Sequence, residues 1–343
     1  MKIALCVSPI GLGHATRAVA LGSELIRQGA DVEFFSGGVA TKLIASYGLK
    51  IHEKIRGPNP NERDGRMIYP GLWYLKYWWD YRRNRSTMKY HLEKDSFDLV
   101  LGDEEFSCIS LAQEMGSKHV MITDELELGF AQSWFSRLVE SRVKDWYKNL
   151  QSKSQLILVP EEGADSGNIR HIPPIVRRVT KTKEQLLESL GIPNTGTLVT
   201  FSMSGSGLGG YFAERAARAF LKAGLVDATM VLSGLESTKV KAHNIRPLGF
   251  VRDNHELVAF SDLVITSAGK STIDEAVSEG TPVIAIPFKD HYEQIKNAEA
   301  LGFSYEDLER LEVLIQQHVG RRTAPKKFKG AEVGAKIILD LLS

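Results

Sequence analysis

The chain has 343 residues, 43% hydrophobic and 25% charged, the composition of a folded globular protein long enough for two domains. Lys and Arg number 43 against 42 Asp and Glu, a formal net charge of +1, which excludes the basic field of a nucleic-acid-binding protein. Two cysteines, Cys6 and Cys108, each fall in or beside an apolar run; this excludes a disulfide framework and predicts buried free thiols in reducing surroundings.

The N-terminal apolar run is too short for a signal peptide, and no stretch approaches the roughly 18 apolar residues of a spanning helix. The expectation is a cytoplasmic protein whose membrane contact, if any, is peripheral, at the inner face of the plasma membrane.

In chain order, Ile3–Ser8, Val32–Ser36, Leu99–Gly102, His119–Thr123 and Leu156–Pro160 read as strands. Arg17–Arg27, Cys108–Met115 and Phe130–Leu150 between them have helical periodicity. Strand–helix alternation predicts a parallel sheet covered on both faces. Beyond residue 175 the pattern restarts. Thr197–Ser202, Thr229–Ser233, Asp262–Thr266 and Pro282–Pro287 read as strands, separated by helices near Tyr211–Ala223, Thr272–Glu279 and Tyr292–Leu301. The fold class is α/β, two Rossmann-like doubly wound domains facing across a cleft. Gly163, Gly167, Asn168, Pro173 and Pro174 punctuate the join. The expected division is residues 1–165, an acceptor-binding domain; 166–325, a donor-binding domain; and a C-terminal helix within 326–343 packing back on the first. Ligands on such sheets sit at the carboxyl ends of the strands.

The first strand runs into Ser8-Pro9-Ile10-Gly11-Leu12-Gly13-His14. Gly11 and Gly13 allow a sharp turn and close approach of a ligand. A dinucleotide fingerprint competes. However, Thr16 replaces its third glycine, and the second strand ends in Phe35-Ser36-Gly37-Gly38 without a ribose-binding carboxylate. His14, at a helix N-terminus, is expected to stay neutral because the dipole disfavours its charged form. A neutral imidazole suits a general base; the competing reading is a capping or packing histidine. Asp103, Glu104 and Glu105 follow one strand, and Asp124 and Glu125 the next. These carboxylates orient an acceptor or support His14, with a solvated loop an equal reading for Glu105.

In the second half, Met203-Ser204-Gly205-Ser206-Gly207-Leu208-Gly209-Gly210 precedes a helix. Its hydroxyls and backbone N–H groups read as an anion cradle or as a flexible turn. Thr266-Ser267-Ala268-Gly269-Lys270-Ser271-Thr272 leads into another helix, whose N-terminus is phosphate-ready. Glu275, three residues after Thr272, shares its face. Capping boxes Thr272-x-x-Glu275 and Ser271-x-x-Asp274 compete. Pro287-Phe288 leads on to Gln294 and Asn297, which share one helix face and can reach sugar hydroxyls.

At this point the chain resembles the family 28, MurG-like glycosyltransferases and their GT-B fold. The resemblance rests on Gly11-Leu12-Gly13-His14, Pro174-Ile175-Val176-Arg177, the 203–210 loop, Ser267–Glu275 and Pro287–Asn297, in the family's order. It implies a UDP-sugar donor. By resemblance, Glu275 holds the ribose, Gly269, Ser271 and Thr272 lie near the diphosphate, Ser204, Gly205 and Ser206 line the phosphate loop, and Arg177 faces the diphosphate. Backbone at Phe250 and Val251 reads the base, and Gln294 and Asn297 contact the sugar. Glu293 stands where the family has a second glutamine, which leaves the sugar (GlcNAc or another hexose) open. His14 and Glu125 are the implied catalytic residues, and Gly11, Gly13, Asp103 and Glu104 the acceptor contacts. The implied reaction is an inverting transfer of a hexosyl group to a lipid-linked or other glycan acceptor. There is no Asp-x-Asp motif, so no metal or other cofactor is called for, and nucleic acid is not expected as a partner.

Residues 69–90 hold three of the five tryptophans and five of the ten tyrosines. Trp73, Tyr77, Trp78 and Arg82 read as a membrane-docking segment; packing of the aromatics on the core competes. Two rival functions are a sugar-nucleotide epimerase of the same fold, which needs no acceptor, and a non-catalytic scaffold recruited to membrane.

Overall fold

Continuous rather than alternating apolar runs build the strands, and Ile3, Ala4, Leu5, Cys6 and Val7 are all fully buried. A strand buried on both faces belongs in a parallel sheet sandwiched by helices. The computed structural model describes residues 1–58, 62–63, 66–67, 70–124, 126, 134–194, 196–203, 210–289 and 291–342. Its elements begin β1 (Lys2–Val7), α1 (Gly13–Arg27), β2 (Asp31–Ser36), α2 (Gly38–Ser46) and β3 (Ile51–Glu53). The two-residue strands β4 (Glu62–Arg63) and β5 (Arg66–Met67), α3 (Pro70–Lys94) and β6 (Leu99–Asp103) follow. Then come α4 (Phe106–Glu114), β7 (His119–Ile122), α5 (Trp134–Lys153), β8 (Leu156–Val159) and β9 (Ile169–His171).

The first sheet has the order β3-β2-β1-β6-β7-β8-β9, every pair parallel. The chain winds outward from β1 in one direction, then returns to β6 and winds in the other. The carboxyl ends of β1 and β6 therefore flank a topological switch point, where ligands of open α/β sheets bind.

The second half repeats this plan. After α6 (Lys183–Ser189) come β10 (Thr197–Ser202), α7 (Gly210–Ala223), β11 (Ala228–Ser233), β12 (Ile245–Gly249) and α8 (Asn254–Phe260). β13 (Leu263–Thr266), α9 (Lys270–Glu279), β14 (Val283–Ala285), α10 (Tyr292–Glu299), a 3-10 turn at Tyr305–Arg310 and α11 (Leu311–His318) complete it. The sheet order is β12-β11-β10-β13-β14, again all parallel. Its switch point lies between β10 and β13.

The chain forms two units, one from Met1–Pro60, Tyr69–Val176 and Phe328–Ser343, the other from Arg177–Lys327 with Asn61–Ile68. The final helix, α12 (Gly330–Asp340), belongs to the first unit. Its Ala331, Ala335 and Ile338 share a core with Ile3, Leu5, Leu21 and Leu25. Gly330 is required there, because a Cβ would fall 2.0 Å from the carbonyl oxygen of Pro173. The second unit has its own core around Phe201, Phe212, Phe220, Met230 and Ile265. Cys6 and Cys108 are buried free thiols, as the composition predicts.

The strands β3, β9 and β12 carry no sequence signal in the reading above. Each is short and only partly buried, with polar residues such as His52, Arg170 and Arg246. Outer strands need less apolar surface than central ones, so hydrophobic runs do not reveal them. No helix among the described residues is long and apolar enough to cross a membrane.

Candidate functional site

At the first switch point, β1 ends in the loop that leads into α1. Gly11 has φ +76, a left-handed conformation that favours glycine. Thr16, where a dinucleotide fingerprint needs its third glycine, donates its hydroxyl to the Gly13 carbonyl at 2.7 Å. His14 is the second residue of α1 and no side chain caps the helix, so the capping reading of His14 does not hold.

Three charged side chains, Asp103, Glu104 and Arg17, surround the imidazole. Asp103, at the end of β6, is fully buried and lies 3.1 Å from His14 Nδ1. Glu104 Oε2 lies 3.5 Å from His14 Nε2. Arg17, one turn along α1, donates Nε and Nη2 to the two Asp103 oxygens at 2.8 and 2.6 Å and also pairs with Asp124. Glu104 accepts from the Thr123 hydroxyl and from the Asp124 backbone N–H, both at 3.2 Å. Its own backbone has φ +46, a strained value for a non-glycine residue.

This cluster overturns the expectation that His14 stays neutral. Burial disfavours the imidazolium, but the charge of Glu104 and the hydrogen bond and charge of Asp103 outweigh it and raise His14 to about 9, with Arg17 opposing. A helix dipole amounts to about half a charge at the N-terminus, less than two whole carboxylates in contact. Burial would likewise raise the Asp103 carboxyl, yet Arg17 and His14 hold it below the usual carboxylate range. Arg17 escaped sequence reading, which treated it only as the start of a helix. The available signal was its i,i+3 spacing from His14, which puts both on one helix face. Glu105 is not on a solvated loop; it is 6% exposed. Glu125 lies outside the described residues.

At the second switch point, β13 ends in Thr266 and the chain turns through Ala268, at φ +60, into α9. Gly269 is the N-cap and no side chain caps the helix, so the two capping boxes do not form. The first-turn N–H groups of an uncapped α-helix are oriented to bind an anion. Ser271 and Thr272 are half-buried in that turn, and Lys270 reaches Asp274 at 2.6 Å. Ser204, Gly205 and Ser206 lie outside the described residues.

Glu275 and Arg177, each 5% exposed at the side chain, pair with one another at 2.9 Å. Arg177 Nη1 also donates to the Arg252 carbonyl at 3.1 Å. The resemblance implied separate contacts, ribose for one and diphosphate for the other. The pairing arises because a buried charge is stable only with a partner. The loop after β12 exposes Phe250 by 51%, while Val251 packs against the cluster of Leu187, Leu198 and Leu257. On α10, Gln294 Oε1 accepts from the Phe288 N–H at 3.0 Å, and Asn297 Nδ2 donates to the Ala268 carbonyl at 3.1 Å. Both side chains thus fix the turns after β13 and β14, each with one polar atom uncommitted among the described residues. No cluster able to hold a metal ion is found among the described residues.

The four residues of the aromatic segment differ in setting. Trp73 donates its indole N–H to the Pro58 carbonyl at 3.0 Å and stacks on Tyr77. Tyr77 is half-buried and within range of the charges of Glu104 and Glu105, so it is not a surface anchor. Trp78 stacks on Tyr81 and meets Trp146 edge-on, with Arg82 over its ring. On the same helix Leu72, Leu75 and Trp79 are exposed, at 48, 57 and 71%.

Residues 224–308 match the family model of the glycosyltransferase family 28 C-terminal domain. An uncharacterized glycosyltransferase of Methanosarcina mazei is 25% identical over 333 residues, covering 87% of this chain and 82% of that protein. Among solved structures, the Streptomyces glycosyltransferase SsfS6, complexed with thymidine diphosphate, superposes with a TM-score of 0.66 at 13% identity, covering 99% of both chains. Arabidopsis thaliana UGT89C1, complexed with UDP, gives 0.65 at 12%, again covering 99% of both.

Proposed function

We propose that this chain, a GT-B glycosyltransferase whose residues 224–308 form a family 28 C-terminal domain, transfers a hexosyl group from a UDP-sugar to an acceptor hydroxyl with inversion. The observation that carries this reading is that each unit has a switch point of its own with a different chemical character. One presents an uncapped helix N-terminus, α9, with Glu275 on the same helix; the other presents a histidine held between two carboxylates. The nucleotide diphosphates bound by SsfS6 and UGT89C1 support a nucleotide-sugar donor on the second unit.

In the proposed reaction the acceptor oxygen attacks the anomeric carbon. The bond from that carbon to the diphosphate oxygen breaks, UDP leaves, and the acceptor proton passes to neutral His14. Negative charge develops on the departing diphosphate, where the N–H groups of α9 act most strongly. Arg17 and Asp103 position the imidazole, and Arg177 holds Glu275 for the ribose. Gln294 and Asn297 shape the sugar pocket, Ser204, Gly205 and Ser206 complete the phosphate loop, and Glu125 assists on the acceptor side. The acceptor is lipid-linked. Exposed Leu72, Leu75, Trp78 and Trp79 beside Lys76, Arg82 and Arg83 on α3 support peripheral attachment to an anionic lipid surface at the cytoplasmic face.

Incubation with radiolabelled UDP-glucose, UDP-galactose and UDP-N-acetylglucosamine plus lipid extract tests the reading. Label moving from the aqueous donor into an organic-soluble product is expected. Isomerised donor without transfer assigns the chain as an epimerase, and donor recovered unchanged assigns it as a scaffold.

A further inference from the structure

Beside the His14 cluster the first unit encloses a small cavity that the chemistry above does not use. It is lined by Ser8 and Ile10 from the loop leading to His14, Tyr77 and Tyr81 from α3, and Glu105 from the turn after β6. Its volume is about 10 Å³, room for about one water-sized group. Asn84, 3% exposed, makes the wall rigid. It accepts from the Arg56 N–H at 2.9 Å and donates to the Arg56 carbonyl at 2.8 Å.

Glu105 follows directly on the carboxylate that meets His14 Nε2. Its Oε1 accepts from the Ser107 hydroxyl. The Ser107 backbone N–H also reaches the carboxylate, while the phenol oxygens of Tyr77 and Tyr81 have no hydrogen-bond partner among the described residues. Burial pushes the Glu105 carboxyl up to about 7, so near neutral pH it can donate as well as accept. Burial, with the charges of Glu105 and Glu104, holds the Tyr77 phenol well above its ordinary value, so it remains a donor. An apolar group in this space would leave these groups unpaired, and the lining holds both an acid, Glu105, and a base, Arg56, so it has no excess charge that would select an ion.

We propose that this cavity is a hydroxyl-recognising subsite of the acceptor site, selecting acceptors that carry a second, uncharged hydroxyl close to the one that reacts. Sugars and polyols meet that requirement; lone alcohols and phenols do not. The inference rests on the reading that the first unit binds the acceptor.

Octyl glucoside, octyl galactoside and octyl N-acetylglucosaminide, with their monodeoxy analogues, test it against octanol and octylphenol as one-hydroxyl controls. Transfer from UDP-glucose, UDP-galactose and UDP-N-acetylglucosamine is measured for each. The controls are expected to have kcat/KM at least about tenfold below the best glycoside, and one monodeoxy analogue to lose about tenfold. Glu105→Gln and Tyr77→Phe should abolish that penalty and raise the acceptor KM, with the donor KM unchanged. Tyr77→Phe keeps the ring that stacks on Trp73, and so remains informative where Glu105→Gln disturbs folding. Equal use of one-hydroxyl controls and glycosides, or an unchanged deoxy penalty in both variants, overturns the subsite while leaving the transferase reading intact. No transfer to any of these compounds overturns both.

Discussion

His14 illustrates how a single side chain's role depends on groups distant in sequence. As a proton acceptor it must be neutral, yet Glu104 and Asp103 raise it to about 9. The acid limb of kcat/KM is therefore expected in the alkaline range, with activity falling as the pH drops below about 9. Glu104→Gln removes the leading favourable charge and should move that limb toward acid by about one to three units. A pH–rate profile that does not move in Glu104→Gln would show that another group titrates. Arg177 makes a contrasting case. Its partner Glu275 is buried as deeply as it is, and removing one member of such a pair leaves an uncompensated charge. Arg177→Ala should thus lower unfolding stability in urea by about 3 kcal/mol; a ligand contact with no structural role would leave the urea midpoint in place.

The elements divide into those a sequence reveals and those it hides. α3 is one helix with two kinds of surface: Tyr81, Asn84, Met88 and Leu92 face inward, while Leu72, Leu75 and Trp79 are exposed. The core-packing reading of residues 69–90 thus holds for the inward face, and the proposed membrane attachment concerns the exposed one. Composition alone could not separate them, because aromatics line both sides. Trp79→Ser with Leu75→Ser should abolish co-sedimentation with anionic vesicles at low salt, with the fold retained by circular dichroism. Sedimentation equal to the parent protein's would exclude this face. At α9, by contrast, the strand–turn–helix pattern was visible, and the uncapped end agrees with it. What the sequence obscured was the competition for each side chain. Capping-box spacing is present at Thr272 and Glu275, but burial of Glu275 against Arg177 decides its partner.

At the scale of the molecule, the two doubly wound sheets were legible because their central strands are continuous apolar runs. Parallel pairing throughout puts one switch point in each unit. In the proposed reaction the two ends take separate tasks: proton removal at the β1/β6 end, diphosphate binding at the β10/β13 end. Arg17 and the inward turn of Tyr77 were not legible, since their surroundings come from other elements: Arg17 meets Asp103 86 residues on and Asp124 107 residues on, and Tyr77 meets the charges of Glu104 and Glu105. The most direct measurement is turnover of His14→Ala with UDP affinity determined in parallel. If the two tasks are separate, transfer falls by about a hundredfold or more while the Kd for UDP stays within about twofold of the parent value. Near-normal turnover with UDP binding intact would contradict the assignment of His14 as base, and loss of UDP binding would contradict the separation of tasks.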